Sequence, residues 1–205
     1  MDRWVLAFDR AAQTLSGVAQ SRRVSPAKQA QTPPLSDAER AVSIGLMRIN
    51  HAGEVAAQAL YQGQALVSRS PALREKLNHA ANEELDHLAW TRERVHELGG
   101  RTSLLDPLWY AGAFVMGAAA GALGDKISLG FLQATEEQVE AHLASHLDRL
   151  PASDTPSRAI VEQMKQDEAS HAQTARNLGA RELSPPVQGL MRLGSSVMTT
   201  LAGKI

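Results

Sequence analysis

The stretch "NEELDHLAW", residues 82–90, places Glu83 and Glu84 four and three residues before His87. A glutamate and a histidine three apart lie on one face of an α-helix and can hold the same ion. A second stretch, "QDEASHA" at 166–172, repeats the pattern, with Asp167 and Glu168 four and three residues before His171. One such pair is ordinarily a solvated surface feature, and the chain carries its own control in Glu93 and His96. His96 follows His87 by nine residues, about 180° around a helix axis. If Glu84 and His87 face inward, Glu93 and His96 face out. Two matched motifs mean more than one.

Two Glu-x-x-His motifs, with one glutamate from each of two further helices, form the ligand set of ferritin-like dinuclear carboxylate bundles. That template predicts a lone glutamate on the helix before each motif. Glu54, in "NHAGEVAA" at 50–57, is offered for the first; Glu136, Glu137 and Glu140 are offered for the second. Glu54 precedes Glu84 by thirty residues, and Glu136 precedes Glu168 by thirty-two. A helical hairpin that brings both ends to one level must turn near the midpoint, at 69 and at 152. These fall inside "SRSP" (68–71) and "PASDTP" (151–156), leaving arms of about sixteen residues, roughly 24 Å. The repeat alone does not choose between Glu83 and Glu84. The template's spacing chooses Glu84 and leaves Glu83 as a neighbour on the helix rim.

The rest of the chain reads as further helices. Trp4, Val5, Phe8, Ala12, Leu15 and Val18 recur at helical spacing, which predicts an amphipathic helix over 2–20 that packs on the body or frays. A polar, proline-containing linker follows over 21–35, so residues 1–35 form an N-terminal helix and linker ahead of a main domain over 36–205. Ser36 and Glu39 occupy capping-box positions at the start of a helix running to about Ser68. Further helices are expected over 72–98, 127–150 and 157–178, and a last amphipathic one after Pro185 and Pro186. Residues 107–124 contain no charged residue. Eighteen residues only reach the lower edge of a membrane span, so a buried core helix and a helix lying on a bilayer are the two readings. Among the other histidines, His51, three before Glu54, either supports a ligand carboxylate from behind or is a polar residue within the bundle. His142 and His146 are expected on the surface, and His79 in an exposed pair with Glu75.

Composition agrees with an all-α class: alanine and leucine lead, arginine, glutamate and glutamine are frequent, and β-branched runs are scarce. At 205 residues the chain suits one domain. A formal net charge of −1 argues against a nucleic-acid partner. The absence of cysteine excludes disulfides, thiolate metal sites and cysteine nucleophiles, so any metal is held by His, Asp and Glu, which suits iron, manganese or zinc. The N-terminus lacks the apolar core and cleavage site of a signal peptide, placing the body of the protein in the cytoplasm.

In order, "MRINHAGEVAA", "NEELDHLAW", "PLWYAGAFVMGAAAGALGDK", "ATEEQVEAH" and "QDEASHA" resemble the demethoxyubiquinone hydroxylases, membrane-associated di-iron monooxygenases of ubiquinone biosynthesis. The resemblance covers about 36–200. It implies six metal ligands: Glu54, Glu84, His87, Glu136, Glu168 and His171, with Glu136 taken as the first of the paired glutamates. It further implies two iron ions per chain as the catalytic centre, O2 as co-substrate, NADH as electron source, and hydroxylation of a polyprenylated methoxy-methyl-benzoquinol. The chain shows no Gly-rich dinucleotide fingerprint. The resemblance also implies a peripheral place on the cytoplasmic face of the inner membrane and other ubiquinone-biosynthesis proteins as partners. Leu143 departs from the pattern, standing where animal members carry tyrosine. The rival readings are a ferritin-like iron-handling protein, which the uncharged 107–124 segment disfavours, and a metal-free membrane adaptor.

Overall fold

The computed structural model describes residues 3–18, 20–30 and 34–205. Residues 1–2, 19 and 31–33, with the side chains of Arg3 and Trp4, and with them those parts of the expected N-terminal helix and linker, lie outside the described residues. The described residues form seven α-helices: α1 (Arg3–Ser16), α2 (Asp37–Val67), α3 (Pro71–Glu97), α4 (Asp106–Ala122), α5 (Asp125–Arg149), α6 (Thr155–Asn177) and α7 (Pro185–Ala202), with a short 3-10 helix at Pro26–Gln29. The fold is an all-α, ferritin-like bundle.

Local chemistry sets the boundaries. Ser36 caps α2 through the Glu39 amide while the Glu39 carboxylate accepts from the Ser36 amide, satisfying helix-terminal donors reciprocally. Ser70 caps α3 and Asp154 caps α6, each with proline in the first turn, where its missing N–H costs nothing. Both hairpin turns therefore sit where the matched motifs require them.

The four long helices α2, α3, α5 and α6 make the bundle, and α4 is the crossover between its two hairpins. His51 meets Asp106 at 3.4 Å, a Cβ on Gly117 would meet the Leu60 backbone, and one on Gly121 would meet Gln64. These contacts advance together along both chains, so α4 runs parallel to α2. Carrying the chain back to the end where α3 begins lets α5 run in the same direction as α3, the single long crossover of ferritin-like topology. The approach is close: a Cβ on Gly63 would lie 2.3 Å from the Phe114 carbonyl oxygen, and one on Gly117 2.3 Å from that of Leu60. Only glycine permits this distance.

The buried-core reading of 107–124 describes only one face of α4. Tyr110, Ala113, Gly117 and Ala120 are buried, whereas Leu108, Val115, Met116 and Leu123 are exposed. Among the described residues no helix is long and apolar enough to cross a membrane. In α1 it is Thr14 and the partly buried Ala11 that turn to the body, and Val5, Leu6, Phe8 and Leu15 are exposed. The apolar stripe expected to pack on the bundle thus faces outward. The Arg10 guanidinium donates to Asn78, anchoring the helix by its polar side.

Two apolar layers occupy the ends of the bundle. One contains Leu46, Met47, Trp90, Val95, Leu143, Leu150, Ile160, Val161 and Met164; the other contains Tyr61, Leu73, Leu77, Leu129 and Ala175. Between them a third cluster, Val55, Ala59, Leu60, Leu88, Tyr110 and Ala113, packs α4 on the bundle, while the bundle interior at that level holds Glu54, Glu84, His87, Glu136 and Glu168.

Candidate metal centre

Four helices deliver the six predicted ligands to one buried level. Glu54 comes from α2, Glu84 and His87 from α3, Glu136 from α5, and Glu168 and His171 from α6. Donor atoms of Glu54, Glu84, His87 and Glu168 lie within 4.8 Å of one another, as do those of Glu136, Glu168 and His171. His87 Nδ1 is 2.8 Å from Glu84 and 3.3 Å from Glu168, and His171 Nδ1 is 2.9 Å from Glu84. Glu84 and Glu168 therefore stand between the two imidazoles, while Glu54 and Glu136 flank one each. Glu137 turns outward to Arg176 at 2.6 Å, and Glu140 is only partly buried. The structure thus brings together Glu136 and leaves the two rival acids outside.

The donor set fits hard or borderline divalent cations. Glu54 Oε2, Glu84 Oε1, Glu168 Oε2 and His171 Nδ1 are buried and make no well-directed hydrogen bond, even where His171 Nδ1 and Glu84 Oε1 lie 2.9 Å apart, an arrangement that costs free energy unless a cation meets it. Carboxylate and imidazole donors without thiolate suit iron or manganese.

The electrostatics show how closely like charges are packed. Burial pushes the Glu54 carboxyl well above the usual carboxylate range, and Glu84 and Glu168 push the same way. Burial and the neighbouring Glu168 do the same to Glu136. Burial opposes charge on both histidines, yet Glu84 raises His87, and Glu168 and Glu84 push His171 up to about 12. Protons on these groups compete with metal, because coordination needs neutral imidazole and ionised carboxylate. Loading with two divalent cations at pH 7 is accordingly expected to release protons, at least those of both imidazoles, and apparent affinity should rise with pH. A titration in weakly buffered solution with a pH indicator reads this directly; uptake of metal without acidification would contradict it.

The extra acid of each motif acts across the repeat. Asp167 Oδ2 accepts from His87 Nε2–H at 2.9 Å, and Glu83 Oε2 lies 3.3 Å from His171 Nε2. Each histidine points Nδ1 into the cluster and Nε2 at the acid preceding the other histidine. A carboxylate on the outer nitrogen fixes ring orientation and tautomer. Glu83 is on the helix rim, as expected, but it also supports the opposite half. Burial raises the Asp167 carboxyl, yet His87 and Arg23 bring it down to about 2.

Other expectations fare differently. Glu93 and His96 are exposed, as the helical phase required. His51 is buried against Asp106 at the start of α4, so it contacts the crossover rather than a ligand carboxylate. His79 pairs with Glu83 at 3.3 Å and not with Glu75; Glu83 is the acid one turn further on, toward the cluster. The surface placement is overturned for His146, while His142 is half-buried. His146 is fully buried, with Nδ1 2.7 Å from Asn50 Oδ1, because α5 turns this face toward α2. Burial, then His142 and Arg149, brings His146 down to about 3, so it is neutral at pH 7. Leu143 is buried in the apolar layer.

Three participants escaped the sequence reading. Tyr61 donates its hydroxyl to Glu136 Oε1 at 2.5 Å. It follows Glu54 by seven residues, two helical turns on the same face, a spacing that could have found it. Asp86 and Arg23 had no such signal; they meet at 2.7 Å across more than sixty residues of chain.

Fold and site together define a ferritin-like helical bundle whose buried carboxylate–histidine cluster is suited to metal. Within that class the chain belongs to the family described as ubiquinone biosynthesis protein COQ7, whose model matches residues 42–202. It is 53% identical to the 3-demethoxyubiquinol 3-hydroxylase of Azoarcus sp. (strain BH72), over 100% of this chain and 99% of the relative. Against the protein of the same name from Variovorax paradoxus (strain S110) the identity is 56%, over 100% and 98%. With that of Ralstonia pickettii (strain 12J) it is 53%, over 100% of both.

Proposed function

We propose that this protein is an O2-dependent di-iron monooxygenase. It hydroxylates a polyprenylated 3-methyl-6-methoxy-1,4-benzoquinol, demethoxyubiquinol, in ubiquinone biosynthesis. The observation that carries the reading is the convergence of two Glu-x-x-His motifs and two lone glutamates on one buried level, in a chain whose relatives bear the name of this hydroxylase. Two iron ions bound there would supply reductive activation of O2, one oxygen atom entering the ring and the other leaving as water, with two electrons originating from NADH.

The chain's own residues do the rest. Glu168, which belongs to both donor groups, and Glu84, whose two oxygens face His87 and His171, would hold the ions as a pair. His87 and His171 present Nδ1 inward because Asp167 and Glu83 engage their outer nitrogens. Tyr61 holds Glu136 through its hydroxyl. The apolar layers on either side keep water from the level where charge is concentrated, which strengthens every electrostatic contact there.

The same reading places the protein peripherally on the cytoplasmic face of the inner membrane, alongside other ubiquinone-biosynthesis proteins. Exposed apolar side chains support it: Val5, Leu6 and Phe8 on α1, Leu108, Val115 and Met116 on α4, and Leu190, Leu193 and Val197 on α7. An amphipathic helix with such a face binds at a lipid interface, where a polyprenyl tail stays in lipid while its head group enters the protein.

Mass spectrometry of quinones from cells lacking the protein tests the function. Accumulation of the demethoxy intermediate, reversed by the wild-type chain and not by a Glu168→Ala chain, is expected. Normal ubiquinone content in those cells would refute the proposal.

A further inference from the structure

The two halves of the cluster are near copies, but the segment ahead of the bundle treats them differently. On the His171 side the supporting acid, Glu83, has a side chain 46% exposed, and its other neighbour is the exposed His79 at 3.3 Å. On the His87 side the supporting acid, Asp167, has a side chain only 19% exposed and is gripped by Arg23, whose Nη1 lies 2.8 Å from Oδ2. That oxygen is the one that accepts from His87 Nε2–H at 2.9 Å, so two donors converge on one atom. Arg23 Nη2 comes within 3.3 Å of the same imidazole nitrogen.

Arg23 is itself held in place. Its Nε donates to Asp86 Oδ2 at 2.7 Å, and the guanidinium lies 4.7 Å above the Trp90 ring. The other Asp86 oxygen accepts from the Arg22 amide at 2.6 Å and the Ser21 hydroxyl at 3.0 Å. Trp90 Nε1–H donates to Ser21 Oγ at 2.9 Å. The forked guanidinium thereby links α3, through Asp86, to α6, through Asp167. An arginine suits such a link because its planar fork is pre-organised for two carboxylates at once.

We infer that Arg23 is a positioning residue that locks the Asp167–His87 support and makes the two metal positions unequal, the His87 position being the tighter. This rests on the two-ion reading above. It assigns a role in the centre to a residue outside the segment 42–202 that matches the family.

Stepwise Co(II) titration of the full chain, followed by its absorption bands and by competition with a chromophoric chelator, tests the inference. In the wild-type chain the first ion should bind more tightly than the second. Anomalous diffraction from crystals carrying one equivalent should place that ion beside His87. Arg23→Ala should weaken the first step by about 10- to 100-fold and leave the second unchanged, and Arg23→Lys should recover only part of the loss. Asp167→Asn should weaken the same step and add nothing further when combined with Arg23→Ala. A segment that merely covered the bundle would not produce this coupling. Arg22→Ala, which keeps the backbone amide that meets Asp86, should bind as wild type. If Arg23→Ala does not fold, Arg23→Lys and Asp167→Asn carry the same comparison. Unchanged first-step affinity in the Arg23 variants, or additive losses, would overturn the inference and leave the two-ion reading standing. A wild-type chain that takes up no pair of ions would overturn both.

Discussion

Replacing Glu168 by alanine should yield a folded chain that holds no pair of iron ions and has no hydroxylase turnover. Glu168 belongs to both donor groups, reaching His87 at 3.3 Å and His171 at 3.5 Å. Its loss removes the carboxylate common to both positions, and the effect should exceed the roughly 10- to 100-fold that losing a supporting residue costs. Glu54 and Glu136 each belong to one group, so Glu54→Ala and Glu136→Ala should each retain one ion. Metal analysis of the purified variants distinguishes the cases. Full iron content and turnover in Glu168→Ala would refute the shared-carboxylate arrangement.

The second large effect lies away from the metal level. Arg94 on α3 donates to Asp154 at 2.8 Å and to the Ser157 hydroxyl at 2.9 Å, fastening the end of one hairpin to the turn of the other. The side chains are 6% and 0% exposed. Arg94→Met keeps most of the buried stem but leaves the Asp154 carboxylate without its cation. Removing one partner of a buried pair costs about 3–5 kcal/mol, because the remaining charge is uncompensated. For a domain of this size the melting temperature should fall on the order of 10 °C. Adding Asp154→Asn should restore part of it, since the stranded charge is then gone. A melting temperature within a degree or two of wild type would show that water or the Ser157 amide already compensates Asp154.

Reading "NEELDHLAW" as half of a duplicated site reached the four-helix core, both turns and the six residues that converge. Those features follow from spacing within a helix and from the symmetry of two hairpins. Periodicity of 3.6 residues places Glu84 with His87 and turns Glu93 and His96 away. Turn chemistry at 68–71 and 151–156 then sets the level at which distant residues meet.

What spacing could not convey is how one helix is rotated and seated against another. The same acidic-position pattern in both motifs leaves Glu83 and Asp167 as rim residues; only the packed bundle shows each reaching the opposite histidine. The exposed-looking pair His142 and His146 lies on a face that α2 covers, so His146 is buried against Asn50. An uncharged run reads as wholly buried or lipid-facing, whereas the close seating of Gly63 and Gly117, where an added Cβ would lie 2.3 Å from a facing carbonyl oxygen, divides α4 into one face on α2 and one face uncovered. Most of all, a polar segment at 21–30 reads as a linker, and only tertiary structure brings Arg23 to Asp86 and Asp167. Sequence by itself determined what each helix carries on each face, because that is set by covalent spacing and backbone geometry. Which faces meet, and which charge answers which, was decided by tertiary packing, where partners sixty to ninety residues apart come within hydrogen-bonding distance.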